Sequence, residues 1–285
     1  MNSVVITGVS SGIGCNATEI LCQSGYRVYG SVRNEEDAGT LLKKYPGNFI
    51  PLIFDVRDEP AIEKAASFVK DDLSKNNHNL VGLVNNAGIA LGGPFKHLDT
   101  ETFRTQLEIN VLGVVSVTRN FLELLGAYKG SENPGKIIMI SSVSGHRAYP
   151  YMSPYSASKF ALEGMSDSLR RELIMYGIDV ILIEPGPVKS EIWSKAPDID
   201  NNPFIGTDYE ESLRTFYSEV FGKANDALDT DIIGNAIKNI FENPAPKTRY
   251  VYTKDKFKEF TLPGILPDRT LDRLMAKRLK IKKSD

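Results

Sequence analysis

The chain has 285 residues, with 34 lysines and arginines against 36 aspartates and glutamates and a net charge of -2. That balance offers no global field to collect nucleic acid, so small molecules are the expected partners. No apolar run reaches the roughly eighteen residues of a membrane span and the chain opens inside its first strand, so neither anchor nor signal peptide is expected and the default address is cytoplasmic.

Val4 to Thr7 is a β-branched run that reads as a buried strand. It leads into Gly8-Val9-Ser10-Ser11-Gly12-Ile13-Gly14 and then a helical stretch from Cys15 to Ser24. Glycines suit a tight strand-to-helix turn that brings bare amides close to a pyrophosphate, whose charge the helix N-terminus favours. Strand, glycine turn and helix in that order predict a dinucleotide site, with a glycine spacing unlike the G-x-G-x-x-G of the common dinucleotide fold. Cys15 and Cys22 lie about 10 Å apart along that helix, too far for a disulfide, so both are expected as thiols.

The second strand, Arg27 to Val32, ends where an enzyme selecting NAD places an acid for the ribose 2′-hydroxyl. Val32 stands there instead and Arg33 follows, a guanidinium able to hold a 2′-phosphate by two hydrogen bonds and to stack on adenine. Ser10 and Ser11 add hydroxyls, and NADP(H) is expected over NAD. The alternative is that Arg33 pairs at the surface with Glu35, Glu36 or Asp37, contacts worth about 0 to 1 kcal/mol.

Further strands are expected at Asn48 to Phe54, Leu80 to Asn85, Lys136 to Ser141, Asp179 to Glu184 and Arg249 to Tyr252, with helical patterns between most of them. The alternation predicts an α/β fold, a doubly wound parallel sheet of about seven strands with helices on both faces. With no linker, low-complexity stretch or internal repeat, residues 1–285 read as a single domain. Ligands in such sheets bind beyond the carboxyl ends of the strands, so Asn85, Ser142 and Pro185 should converge on one rim.

Thirteen residues after Ser142 comes Tyr155-Ser156-Ala157-Ser158-Lys159. Residues i and i+4 share a helix face, so an ammonium would sit beside a phenol. Lowering a phenol from about 10 to about 7 needs about 4 kcal/mol, which one positive charge at about 4 Å supplies at an effective dielectric of about 20.

Thr7-Gly8-x-x-x-Gly12-x-Gly14, Asn85-Asn86-Ala87-Gly88, Asn110, Ser142, Tyr155-x-x-x-Lys159 and Pro185-Gly186 together resemble the compact subtype of the short-chain dehydrogenase/reductase family, over residues 1 to about 190. Within it, Tyr155 to Gly164 and Pro246 to Tyr250 resemble the 17β-hydroxysteroid and retinol dehydrogenase group. The resemblance implies a single-domain Rossmann fold with a helical substrate lid at about 189–225 and a C-terminal extension at about 253–285. It implies a catalytic set of Asn110, Ser142, Tyr155 and Lys159, interconverting an alcohol and a ketone or aldehyde. Tyr155 would transfer the proton, Lys159 would lower its pKa and hold the nicotinamide ribose, Ser142 would fix the substrate oxygen, and Asn110 would bind a water beside the lysine. Gly8, Gly12, Ile13 and Gly14 would cradle the pyrophosphate. Asp55 and Val56 would meet the adenine, Asn85, Asn86, Ala87 and Gly88 would wall the adenosine ribose, with Asn85 alternatively serving mainly to tie strands together, and Pro185, Gly186 and Val188 would hold the carboxamide. The same resemblance implies a homodimer or homotetramer pairing through the helices that carry Asn110 and Tyr155.

Leu91, Phe95, Tyr149, Tyr151, Met152, Ile192, Trp193, Phe204, Ile205, Phe216, Tyr217 and Phe221 frame the expected substrate end, an apolar and aromatic set suited to a hydrophobic alcohol or carbonyl compound, steroid-like, retinoid-like or other. Any one of them equally serves to pack the lid. From Leu262 onward, Leu271, Leu274, Met275 and Leu279 recur at helical spacing among lysines and arginines; packing of that stripe on the domain or a second subunit is expected before membrane contact. His78, His97 and His146 are scattered and give no zinc spacing, so no metal is expected. A cofactor-binding regulator without chemistry, and a sugar-nucleotide epimerase or dehydratase using the same Tyr and Lys, are the alternative functions.

Overall fold

The computed structural model describes residues 1–190, 199–220 and 227–282. Seven strands form one sheet: β1 (Asn2–Ile6), β2 (Arg27–Val32), β3 (Phe49–Ile53), β4 (Asn79–Asn85), β5 (Lys136–Ile140), β6 (Asp179–Pro185) and β7 (Arg249–Tyr252). Their order is β3-β2-β1-β4-β5-β6-β7 and every pairing is parallel. All seven expected strands are present, their ends differing by a residue or two.

Among the described residues the α-helices of eight residues or more are, in chain order, α1 (Gly12–Gln23), α2 (Glu35–Lys44), α3 (Glu59–Asn76), α4 (Thr100–Leu107), α5 (Gly113–Phe121), α6 (Ser153–Leu173), α7 (Glu210–Val220), α8 (Thr230–Glu242) and α9 (Asp268–Arg278). β1 shows why the sheet needs cover on both faces. Its side chains alternate, so Val4 and Ile6 pack with Leu21 of α1 and Ile233 and Ile237 of α8, while Val5 packs with Ile62 of α3 and Val117 of α5. Water reaches none of these three β1 side chains. Cys22 is buried in the first layer, which pushes its thiol up to about 12, and neither cysteine is in a disulfide.

After β3 the chain returns to the centre of the sheet and places β4 beside β1. The connections leaving β1 and β4 therefore diverge, and the crevice between them lies at the carboxyl ends of the strands, the position where such sheets bind ligands.

The C-terminal extension packs on the domain. Leu271 and Met275 are half-buried, Leu279 is buried, and Leu274 on the other side of α9 is exposed. Arg278 pairs with Glu219 of α7, and Lys280 lies 3.8 Å from Glu211 of the same helix. Three members of the expected apolar stripe, Leu271, Met275 and Leu279, are thus turned inward. Among the described residues no helix is long and apolar enough to cross a membrane.

Candidate active site

The glycine turn follows β1 directly. Gly8 and Gly12 have φ of +70° and +59°, where side chains are strained. A Cβ on Gly14 would lie 2.3 Å from the Gly8 carbonyl oxygen and 2.5 Å from Asn86 Nδ2, so no side chain fits. Ser11 caps α1 with extended backbone and no side-chain hydrogen bond, which leaves the first-turn amides to an anion. This bare, tightly held cradle fits a pyrophosphate. A cavity of about 370 Å³ opens beside it, lined by Gly12, Cys15, Asn16, Glu19, Lys189, Ser190 and Thr230.

Neighbours hold the turn from outside. Ser31 Oγ accepts from the Gly8 amide at 3.0 Å. Asn86 Nδ2 donates to the carbonyls of Thr7 and Gly8, both at 2.9 Å, and Thr7 Oγ1 accepts from the amides of Asn86 and Ala87 at 3.0 Å. Ala87 sits against Gly8, where a Cβ would come within 2.9 Å of the Ala87 Cα. Sequence reasoning missed Ser31; its one signal is a hydroxyl in an apolar strand.

Arg33 stands exposed at the end of β2. Of the three acids in its surface alternative, Asp37 is engaged by Asn34, which caps α2 through the Asp37 amide and donates to the Asp37 carboxylate at 3.1 Å. Arg33's charge also acts, as the smallest influence, on Asp55. That carboxyl is held below the usual range first by Arg57, which donates Nε to Oδ1 at 2.9 Å and Nη2 to Oδ2 at 2.8 Å. Val56 is buried in the second apolar layer, packed so closely on Gly113 that a Cβ there would lie 2.8 Å from Val56 Cγ2.

Asn85 takes the strand-tying role that the sequence left as its alternative. It shares the strand parity of Leu83, so its side chain enters the layer under α5, where Nδ2 donates to Thr118 Oγ1 at 2.8 Å and approaches Met139 Sδ at 3.3 Å. Its side chain ties β4 to its neighbours and does not face the rim.

A turn of π-helix, Glu108–Leu112, interrupts the passage from α4 to α5 and carries Asn110. Such bulges re-aim single side chains, frequently at functional sites. Asn110 Oδ1 accepts from the Ile89 amide at 2.9 Å, and Nδ2 donates to the Ile89 carbonyl at 3.0 Å and to Ser158 Oγ at 3.1 Å. Ser158 donates onward to the Tyr155 carbonyl at 2.7 Å. Gln106, which the sequence did not single out, holds the same loop through the Leu91 amide at 2.7 Å and the Ile89 carbonyl at 2.9 Å. Gly88 packs on Asn110 so closely that a Cβ would lie 3.2 Å from Oδ1. Asn110→Ala strands several of these part-buried groups, and a loss of about 2 kcal/mol is expected, read as a Tm lower by roughly 3 to 4 °C in thermal unfolding.

Ser142 follows β5. Its Oγ accepts from the Ser144 amide at 3.1 Å and lies 3.4 Å from the Pro185 carbonyl oxygen. Across from it, the first two turns of α6 carry Tyr155 and Lys159, only 5% and 8% exposed. Lys159 Nζ sits 5.7 Å from the centre of the Tyr155 ring and donates to the Ile140 carbonyl at 2.7 Å. The protein groups do not pull the phenol toward neutrality as expected. Burial pushes Tyr155 up, and the opposing influence is its hydrogen bond with Ser142. Burial likewise draws Lys159 down to about 8.

Beyond β6, the Gly186 amide donates to the Tyr252 carbonyl at 2.8 Å. Val188 bridges Leu228, through the Leu228 amide to the Pro187 carbonyl and the Lys189 amide to the Leu228 carbonyl, both 2.8 Å. A parallel bridge of that kind turns the Val188 amide itself the other way.

Around Tyr155 packs an apolar and aromatic cover of Tyr151, Met152, Leu213, Phe216 and Leu279, with Tyr149, Phe204, Tyr209 and Tyr217 packed against it. Tyr151 Oη and Ser212 Oγ share a 2.6 Å hydrogen bond that fastens α7 to the start of α6. Phe95 departs from the expected lining: it is 72% exposed and packs edge-on against Phe103. Ile192, Trp193 and Phe221 lie outside the described residues. Leu279, from the far end of the chain, was legible only as one position of a helical stripe.

Residues 2–200 match the sequence profile of the short chain dehydrogenases. The chain belongs to that family. Short-chain dehydrogenases similar to it include an NADPH-dependent 3-dehydrocapnine reductase from Ornithobacterium rhinotracheale, 42% identical over 280 residues and 98% of each chain. Retinol dehydrogenase 7 of Rattus norvegicus is 32% identical over 87% of this chain and 79% of its own. Among solved structures, a short-chain dehydrogenase from Streptomyces avermitilis superposes with a TM-score of 0.77 at 26% identity, covering 98% of this chain and 95% of that one. One from Burkholderia cenocepacia J2315 in complex with NADP reaches 0.71 at 25% identity, covering 99% and 98%. As a member of this family the chain is an oxidoreductase of the dehydrogenase/reductase class.

Proposed function

We propose that this short-chain dehydrogenase uses NADPH to reduce the carbonyl of a hydrophobic substrate to an alcohol. The observation that carries the reading is the buried Ser142, Tyr155 and Lys159 constellation, bordered by apolar and aromatic side chains and set beside a glycine cradle with no room for a side chain. When bound, NADPH supplies the hydride that reaches the carbonyl carbon. Tyr155, whose phenol burial keeps protonated at neutral pH, gives its proton to the carbonyl oxygen, completing the alcohol. Ser142, already hydrogen-bonded to Tyr155, holds that oxygen in place. Lys159 presents its charge beside the ring and would hold the nicotinamide ribose, and Asn110 fixes the Ile89 loop against α6 through Ser158.

The cofactor would lie along Gly8, Ser10, Ser11, Gly12, Ile13 and Gly14, with Asp55 and Val56 at the adenine, Asn86, Ala87 and Gly88 along the ribose, and Pro185, Gly186 and the Val188 amide at the carboxamide. Arg33 in place of an acid supports the 2′-phosphate, in keeping with the NADPH dependence named for the 42% identical relative. Exposed Leu112, Val115 and Phe160 support pairing of two subunits through the helices around Asn110 and Tyr155.

The test is consumption of NADPH and NADH by the purified protein, with 3-dehydrocapnine first and then steroid, retinoid, short aliphatic and aromatic carbonyls. Turnover of an apolar ketone with NADPH is the expected result. Cofactor binding with no turnover on any of them would favour a regulator.

A further inference from the structure

Behind the catalytic residues lies a buried charge cluster that the proposed mechanism does not use. The histidine that looked isolated in the sequence, His146, comes together with Glu163 of α6 and Glu184 of β6 so that their ligating atoms lie within 4.8 Å of one another. Glu184 is completely buried and Glu163 is 7% exposed. Arg249 of β7 joins them, with Nε 3.2 Å from Glu184 Oε1 and Nη2 3.1 Å from Glu163 Oε2. The same Nη2 lies 2.8 Å from Asp167 Oδ1, and Asp167 is also paired with Arg170 at 2.7 Å and Arg171 at 3.8 Å. His146 Nε2 closes the cluster, 3.1 Å from Glu184 Oε2 and 3.7 Å from Glu163 Oε2. Burial, and then the charge of Glu163, push the Glu184 carboxyl up.

One member, Glu163, adjoins the catalytic machinery. Glu163 stands four residues after Lys159, on the same face of α6. The loop that follows Ser142 rests on it, since a Cβ on Gly145 would meet Glu163 Cγ at 2.9 Å and the Lys159 carbonyl oxygen at 3.2 Å. Lys159 is held in the opposite way to a surface lysine. Its Nζ has the Ile140 carbonyl as acceptor at 2.7 Å, and the charge that offsets its burial is that of Glu163.

We propose that Glu163, clamped by Arg249 and bordered by His146 and Glu184, is a positioning residue that keeps the Lys159 ammonium charged from one helical turn away without touching substrate or cofactor. The inference rests on the role given above to Lys159. A neutral lysine in that place would lose its hold on ribose hydroxyls and its charge beside the Tyr155 ring. The carboxylate needs its own support, because a buried charge left unpaired costs more than a paired one returns. Arg249 gives that support from a different strand, and so ties the charge state of the active site to the packing of β7 on β6.

The experiment is titration of Lys159 Nζ by NMR in 15N-lysine-labelled protein, the signal assigned by its loss in Lys159→Ala, alongside the pH profile of kcat/KM for ketone reduction. The wild-type midpoint is expected near 8. Glu163→Gln, which keeps an acceptor for Arg249 but removes the charge, is expected to lower it by about one unit. The charged fraction at pH 8 then falls from about one half to about one tenth, a roughly fivefold loss, while at pH 6 it stays above about nine tenths. Activity should follow that pattern, whereas mere structural damage would lower the rate equally at both pH values. Arg249→Gln takes away the support of the Glu163 carboxylate and is expected to move the midpoint downward as well, so either variant alone decides if the other does not fold. An unmoved Lys159 midpoint, or shifts opposite to these, would overturn the proposal. Because the titration needs no substrate, its failure is distinguishable from failure of the reductase reading, which would appear as absent turnover in the wild type.

Discussion

Tyr155→Phe is expected to lower kcat for ketone reduction by about a thousandfold, within the range of roughly 10² to 10⁴ that a positioned general acid contributes. The substitution removes one oxygen and leaves the ring, so the apolar and aromatic cover of Tyr151, Met152, Leu213, Phe216 and Leu279 keeps its packing. NADPH affinity should therefore change by no more than about twofold, and the Tm should hold. Single-turnover kinetics with NADPH fluorescence, together with binding titrations on the same preparation, separate the two effects. A variant that turned over at near wild-type rates would remove Tyr155 from the chemistry.

Arg33→Ala is expected to raise the KM for NADPH by roughly 10- to 100-fold while leaving the KM for NADH almost unchanged. The lost interaction is a pair of charge-assisted hydrogen bonds to a phosphate, of about 1.5 to 3 kcal/mol, and each 1.4 kcal/mol is about tenfold in affinity. Because Arg33 is exposed, the wild-type preference for NADPH should also shrink as salt is raised through the range where the Debye length falls below about 8 Å. Equal losses with both cofactors would mean that Arg33 serves the adenine end in some other way, through stacking or through Asp55.

The two variants act on opposite ends of the site, which the strand order explains. Arg33 follows β2, on one side of the point where the strand order reverses, whereas Ser142 and Tyr155 follow β5, on the other. An extended dinucleotide can span that reversal, and no shorter ligand needs both ends.

Local chemistry was enough to read the strands and the glycine turn. β-branched runs such as Val4-Val5-Ile6 must be buried, and a strand feeding Gly8, Gly12 and Gly14 has few other uses. Tyr155 and Lys159 were legible for the same reason, because four residues on a helix place them on one face whatever surrounds it. What those side chains do to each other was not legible. The expected depression of the phenol by its lysine depends on solvent exposure, which only packing decides, and burial of both groups reverses the direction for Tyr155.

The parity of a strand, fixed by which face its neighbours cover, likewise turned Asn85 into the core while leaving Asn86 to hold the glycine turn. Arrangements among residues far apart in the chain were out of reach altogether. His146, Glu163, Glu184 and Arg249 come from a loop, a helix and two strands, and Leu279 crosses the molecule to lie among the residues around Tyr155. The sequence by itself determined the order of strands and helices and the residue types at each strand end, since these follow from periodicity and from backbone sterics. Which of those residues meet, and what charge they carry when they do, was decided only by the tertiary structure, because burial and Coulomb interaction depend on distances through space that chain position does not encode.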